Sequence, residues 1–463
     1  MAIKIQHCVR TLRLKVKVIA LTAAFVAAVV QHGSLAAAGG QEPFGLTART
    51  ASKPYLAMPE LANGKFPVLL SQTGAFDNVR TLTPNRSLIP YDLIVAFWSD
   101  GAAKSRWVSV PAGKIRFSAT GEWGFPDGTV FVKHFDLPID DTNPAIKRRL
   151  ETRLLVRDRH GGVYGVTYKW RPDYSDADLV TGSVQEHIAI KTASGTRTQT
   201  WYYPSPKDCL TCHTSNAGGA LGVKTRQMDR DITYPSGVTD NQLRAWSHVG
   251  LFDAALDGSE IAALPKLAGP KDASRSLEDR ARSYLDANCS QCHRPGGTVA
   301  NFDARYDTPL AKQGLIGGPV VIDENLDRPR VIAPNDIWRS ILFMRVNSDD
   351  SIKMPPLARM TIDTAGVALL RQWIESLPGP PVLAPPTISP PGGSFDTTVT
   401  VTLLEAEPGA VIHYTVDGSE PTTSDAVYAA PFALTVPQVV RARAYKPGFT
   451  RSITAQQVFV PKG

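Results

Sequence analysis

Cysteine is scarce in this chain of 463 residues: there are five. Cys8 falls in an N-terminal leader, which leaves Cys209, Cys212, Cys289 and Cys292 for the rest. Surplus charge is also small. The formal net charge is +7, but residues 1–38 hold five basic residues and no acidic one, which leaves +2 beyond them. The basic character belongs largely to the leader and gives no basis for nucleic-acid binding. The leader's apolar run, residues 18–30, is too short to span a bilayer comfortably. No glycine loop of the phosphate-cradling kind occurs, nor a serine or cysteine hydrolase elbow.

What is present begins with a secretion signal. Lys4, Arg10, Arg13, Lys15 and Lys17 form a positive segment, the apolar run follows, and Ala36-Ala37-Ala38 supplies a small-residue cleavage site. Residues 1–38 are therefore expected to be a signal peptide directing the chain to the periplasm; the alternative is an uncleaved membrane anchor. No cysteine stands at the cleavage point, which argues against a lipoprotein.

The remaining length predicts a multidomain chain of about three domains. Residues 44–200 read as a mainly-β domain, because short apolar runs alternate with glycine, proline and aspartate turns. Residues 163–170 are one such strand, entered from the turn Arg159-His160-Gly161-Gly162. Five tryptophans, Trp98, Trp107, Trp123, Trp170 and Trp201, suit a β-domain core better than a sugar platform. Residues 201–275 change texture and include a helical pattern over 241–252. Residues 276–378 read as helical: one helix capped by Ser276, one capped at Asn335-Asp336 and running to Val346, and one after Asp363. Residues 379–386 are a proline-rich linker, and residues 387–463 return to a β pattern that fits a small sandwich.

All four remaining cysteines fall in two copies of one motif, Cys209-Leu210-Thr211-Cys212-His213 and Cys289-Ser290-Gln291-Cys292-His293. Two thiols at this spacing can form thioethers with the vinyl groups of one haem, and the adjoining histidine can bind the iron. Neither a disulfide nor a redox CxxC requires a histidine after both pairs. A zinc ribbon separates its pairs by about 15–20 residues, whereas Cys212 and Cys289 lie 77 positions apart. The expectation is two covalently bound haem c groups, with His213 and His293 as iron ligands.

Each iron has a second axial position. For the second motif the candidate is Met354 in Lys353-Met354-Pro355-Pro356, which is 62 residues beyond Cys292; Met360 is its neighbour and Met344 falls in a helical pattern. For the first motif the candidates are Met228 and His248. His134, His160 and His187 could also fold back, or the iron could be open. A filled iron transfers electrons, whereas an open one can bind peroxide or oxygen.

The order helix, CxxCH, long loop, helix, Met-Pro, helix over residues 276–378 resembles an α-helical class I cytochrome c domain. A wider resemblance covers residues 84–378. It is carried by Leu88-Ile89-Pro90-Tyr91-Asp92-Leu93, the segment from Phe97 to Asp100, Gly128-Thr129-Val130, Glu151-Thr152-Arg153-Leu154-Leu155, Pro204-Ser205 before the first motif, and Leu221-Gly222-Val223-Lys224-Thr225-Arg226-Gln227 after it. These resemble exported di-haem c-type cytochromes of unassigned function. The tail, with Gly409-Ala410-Val411-Ile412-His413-Tyr414-Thr415-Val416-Asp417-Gly418-Ser419-Glu420-Pro421-Thr422, resembles the C-terminal module of chitobiase and β-hexosaminidase-type enzymes. The resemblances imply a periplasmic di-haem electron carrier served by a periplasmic redox partner protein, with polysaccharide or cell-surface contact through the tail. The alternatives are a di-haem peroxidase or oxidase with one open iron, and a polymer-binding redox protein.

Overall fold

The computed structural model describes residues 43–50, 52–298 and 301–462. The signal peptide expected over 1–38 lies outside the described residues. β1 (Phe76–Asn78) and β2 (Thr83–Pro84) form a small hairpin. β3 (Ile89–Pro90), β4 (Ala103–Ser109), β5 (Val130–Pro138), β6 (Lys147–Arg157), β7 (Val163–Trp170) and β8 (Ala177–Val180) then pair in chain order as a six-stranded antiparallel sheet. Alternation along the strands sorts the side chains onto two faces. Val130, Val132, Leu154, Val156, Val166 and Tyr168 bury one face against Leu56, Met58 and Leu70. The hairpin of β9 (Val184–Thr192) and β10 (Gly195–Tyr203) packs Ile188, Ile190 and Trp201 on Phe135 and Leu150.

Beyond β10 comes α1 (Pro206–Cys212), whose N-cap Ser205 accepts from the Asp208 N–H and whose first position is proline. α2 (Thr225–Met228), the hairpin β11 (Asp231–Thr233) and β12 (Thr239–Asn241), α3 (Gln242–His248) and α4 (Gly258–Ala262) follow. They share a core with the sheet's edge: Trp123, Met228, Leu243, Trp246 and Phe252 are all buried there. α5 (Leu277–Cys289) starts at its N-cap Ser276, and α7 (Thr364–Ser376) at its N-cap Asp363. With the short α6 (Ile341–Val346) they bury Ala281, Leu285, Phe343, Leu370 and Trp373 together.

The helical class I cytochrome c-like domain expected over 276–378 is not what forms. The described residues are mostly β, with 29% strand against 16% helix. Among the described residues from Ser290 to Ser340 there is no α-helix, only a 3-10 turn at Leu310–Lys312 and isolated bridges such as Ile316 with Ile332. The helix expected from Asn335-Asp336 to Val346 begins only at Ile341. Asn335 has φ 56°, and the Asp336 carboxylate accepts from the N–H groups of Trp338 and Arg339. That local turn competes with helix and overrides the apolar spacing of Ile337, Ile341 and Leu342.

The tail is a β-sandwich. One sheet joins β13 (Thr387–Ser389), β15 (Val399–Leu404) and β18 (Phe432–Leu434). The other joins β14 (Gly393–Phe395), β20 (Ala455–Pro461), β19 (Gln438–Tyr445), β16 (Val411–Thr415) and β17 (Ala426–Val427). Ile388, Val401, Leu403, Val440 and Phe459 fill the space between them. The proline segment before it is held down, with Leu383 donating to Thr450 O at 3.0 Å and Thr450 to Pro381 O at 2.8 Å.

Leu154 is fully buried at the centre of the main sheet. Leu154→Ala is expected to cost about 2–5 kcal/mol of stability, read as a lowered urea midpoint with native-like circular dichroism in buffer.

Candidate cofactor-binding site

Cys209 and Cys212 both sit on α1, and α1 lies against β7 because Gly165 leaves room for it. A Cβ at Gly165 would stand 2.7 Å from both Cβ and Sγ of Cys209, so a side chain there would push the helix away. His213 closes the helix. Its Nδ1 lies 2.7 Å from Gly219 O. A carbonyl can only accept, so Nδ1 carries the proton and Nε2 keeps its lone pair free. Burial lowers the pKa of this imidazole to about 4, the Gly219 hydrogen bond acting in the opposite sense. The ring is therefore neutral and in one tautomer at pH 7, the form in which a histidine ligates a metal.

α5 ends at Cys289, so Cys292 and His293 lie in the turn beyond it. The His293 N–H donates to Cys289 O at 2.9 Å, and its ring stacks on Phe302 with centroids 4.2 Å apart and planes 14° apart. Burial again lowers the pKa to about 4, assisted by the Arg345 guanidinium. Its Nδ1 is buried without a hydrogen-bond partner among the described residues. Each motif thus offers two thiols and one neutral imidazole, and this donor set fits a covalently attached haem.

The two motifs touch. Asn216, just after the first, donates its side-chain N–H to Pro295 O at 3.1 Å. Arg294, just after the second, donates to Asn216 O at 3.1 Å and to the Glu122 carboxylate at 3.0 Å. The Cys212 and Cys292 thiols interact, which raises the pKa of Cys212 and lowers that of Cys292. Burial pushes Cys209 up to about 11 and Cys289 up to about 12.

A cavity of about 190 Å³ opens beside the contact, lined by Cys209, Cys212 and His213 from the first motif. Phe131, Leu155 and Gly165 line it from the sheet, and Leu357 and Ala358 from the loop after Met354. That loop is tied to the sheet domain through Asp100, whose Oδ1 accepts from the N–H groups of Met360 and Thr361 at 2.9 and 2.8 Å. Trp98 adds hydrogen bonds to Asn288 on α5 and to Thr361 O, at 2.8 and 3.0 Å.

The remaining candidates separate. The Met354 N–H donates to Arg345 O at 2.9 Å, which fixes the loop against the end of α6, and Met354 does not line the cavity. Met360 Sδ lies 4.0 Å from Lys353 Nζ, and Met344 is on α6. Met228 is fully buried in the core with Trp123 and Trp246 and does not line the cavity. His248 is exposed and stacks on Phe44, with centroids 3.5 Å apart. His134 is bound within the sheet to Thr152 Oγ1 at 2.8 Å, while His160 and His187 are exposed. Sequence reasoning missed the cations on the cavity wall, among them Arg106, Lys133 and Arg153. No signal along the chain marks them, because only strand register brings them together.

Residues 390–456 match the chitobiase/beta-hexosaminidase C-terminal domain, a carbohydrate-associated module. No curated protein and no solved structure matches the chain. The resemblance of residues 84–378 to di-haem cytochromes rests on the residues alone.

In the free-thiol form, the interaction with Cys212 lowers the pKa of Cys292. Cys212→Ala is expected to raise the pKa of Cys292 and slow its alkylation about tenfold at pH 7, with less effect at pH 9, because only the thiolate reacts. Mass-resolved iodoacetamide labelling of the unloaded chain checks this, with Cys292 the fastest of the four in the unsubstituted chain.

Proposed function

We propose that this chain is an exported di-haem c-type cytochrome that transfers electrons in the periplasm. Cys209 and Cys212 would tether one haem c, and Cys289 and Cys292 the other. His213 and His293 would each present a neutral imidazole to iron, and Met354 would complete the second site. The haem supplies one-electron redox chemistry when bound. The chain's own part is to fix both imidazoles, exclude water from them and hold the two attachment segments together.

The observation that carries this reading is the direct contact of the two motifs through Asn216, Pro295 and Arg294. Two redox groups anchored on touching segments can exchange electrons within one chain and pass them to a redox partner protein. A second reading, a di-haem peroxidase or oxidase, is favoured by one observation: neither Met228 nor His248, the donors suggested for the first site, lines the cavity. The match of the tail to a carbohydrate-associated module supports contact with a polysaccharide.

Mass spectrometry and the pyridine haemochromogen assay on the exported protein are expected to find two haems per chain, falling to one in Cys209→Ala/Cys212→Ala. A chain with no covalent haem sinks the reading. Low-temperature EPR of the ferric protein is expected to show two low-spin signals, one of which becomes high-spin in Met354→Ala. A high-spin signal already present in the unsubstituted protein transfers the conclusion to the enzyme reading. Sedimentation of the full chain with insoluble chitin and cellulose tests the tail, and failure to co-sediment with either removes polysaccharide contact.

A further inference from the structure

The sheet face turned towards the cavity carries a row of cations. Pairing sets Arg106 on β4 opposite Lys133 on β5, Lys133 opposite Arg153 on β6, and Arg153 opposite Thr167 on β7. The next row on the same face is Val108, Phe131, Leu155 and Gly165, which is apolar throughout. The row on the other side, Lys104, Phe135, Glu151 and Lys169, is charged as well but does not line the cavity. Like charges directly opposite on neighbouring strands destabilise a sheet, and partial burial raises the cost.

Two members are compensated. Arg106 pairs with Asp92 at 2.6 Å and Arg153 with Glu151 at 2.5 Å. Lys133 has no hydrogen bond or ion pair among the described residues, and its Nζ stands 5.0 Å from the Phe135 ring centroid. At the end of the row the Thr167 hydroxyl is buried without a hydrogen-bond partner. Arg106, Lys133 and Arg153 all line the cavity that holds Cys209, Cys212 and His213. The other cations of the lining, Lys224 and Arg294, are already paired with Asp286 at 2.8 Å and Glu122 at 3.0 Å.

We infer that the row centred on Lys133 receives carboxylates, the propionates of the haem attached at the first motif. The inference rests on the di-haem reading above. Burial and the two flanking guanidinium groups disfavour the charge on Lys133, and an anion entering the cavity would restore it and accept charge-assisted hydrogen bonds from an amine that has no hydrogen-bond or ion-pair partner among the described residues. The propionates are the anions that covalent attachment at Cys209 and Cys212 would deliver there. The other source of the same chemistry is a small free carboxylate.

The test uses the exported full-length protein, with covalent haem counted by mass, comparing the unsubstituted chain with Lys133→Met and Lys133→Arg. Spectroelectrochemistry is expected to show one haem's midpoint potential shifted down in Lys133→Met, because a lost positive charge favours the ferric state. The other haem should stay in place, and Lys133→Arg should restore most of the shift. Lys133→Gln repeats the measurement if the methionine variant fails to accumulate. Unchanged potentials with both haems attached overturn the inference. A saturable spectral shift when acetate is added to the unsubstituted protein overturns it in favour of a free anion. A new high-spin EPR signal in Lys133→Met overturns it in favour of a lysine–iron bond. Absence of covalent haem from the unsubstituted protein overturns the reading beneath it.

Discussion

The arrangement turns on Arg294, the residue that follows the second CxxCH histidine. It is buried, and its three donor groups reach three parts of the chain. Nε donates to Ser290 O at the end of α5, Nη1 to Asn216 O beyond the first motif, and Nη2 to Glu122 in the β-rich part. A buried charge is tolerated only where its partners are all in place. Satisfying this guanidinium therefore fixes how the two motifs and the sheet domain meet. Lys224 with Asp286 at 2.8 Å repeats the device on the other side of the contact, again joining the first-motif segment to α5.

The rest of the site is built by side chains that hold backbone from a distance. Gln227 brackets Val95, its oxygen accepting from Val95 N–H at 2.9 Å and its nitrogen donating to Val95 O at 2.8 Å. Asp100 and Trp98 do the same for the loop between Met354 and α7. These residues connect segments more than 100 positions apart, so the cavity is assembled only when the sheet, α1, α5 and the Met354 loop have all docked. Groups held in place in this way need little reorganisation when charge changes beside them.

Much of this was legible in the sequence because it depends on local chemistry. The CxxCH spacing, the caps at Ser276 and Asp363, the strand over 163–170 and the alternation in the tail all act within a few residues. The parts that were not legible depend on tertiary contact. Met228 and His248 look alike as candidate ligands along the chain, yet one belongs to an aromatic core and the other to an exposed stack on Phe44. The apolar spacing after Asn335 reads as helix until the Asp336 carboxylate takes two backbone donors and delays it. The cation row is invisible in one dimension, because Arg106, Lys133 and Arg153 come together only through strand register.

The C-terminal sandwich bears on function through the way it is attached. Arg339 donates to the carbonyls of Arg451 and Ser452 at 3.1 and 3.3 Å, and Asp327 pairs with Arg451 at 3.0 Å. Arg339 is itself held by Asp336 at 2.9 Å, in the turn that precedes α6. The proline segment adds its own backbone hydrogen bonds to Thr450. A module on a free proline linker would sample many orientations, whereas this one shares an ion-pair network with the segment that leads into α6 and the Met354 loop. A surface contacted by the sandwich would therefore set the orientation of the second CxxCH motif as well as its distance. The same network explains why the turn at Asn335-Asp336 wins over helix there: Asp336 serves its local backbone and the Arg339 that anchors the module, and a helix beginning at that point would have to give up the turn on which both depend.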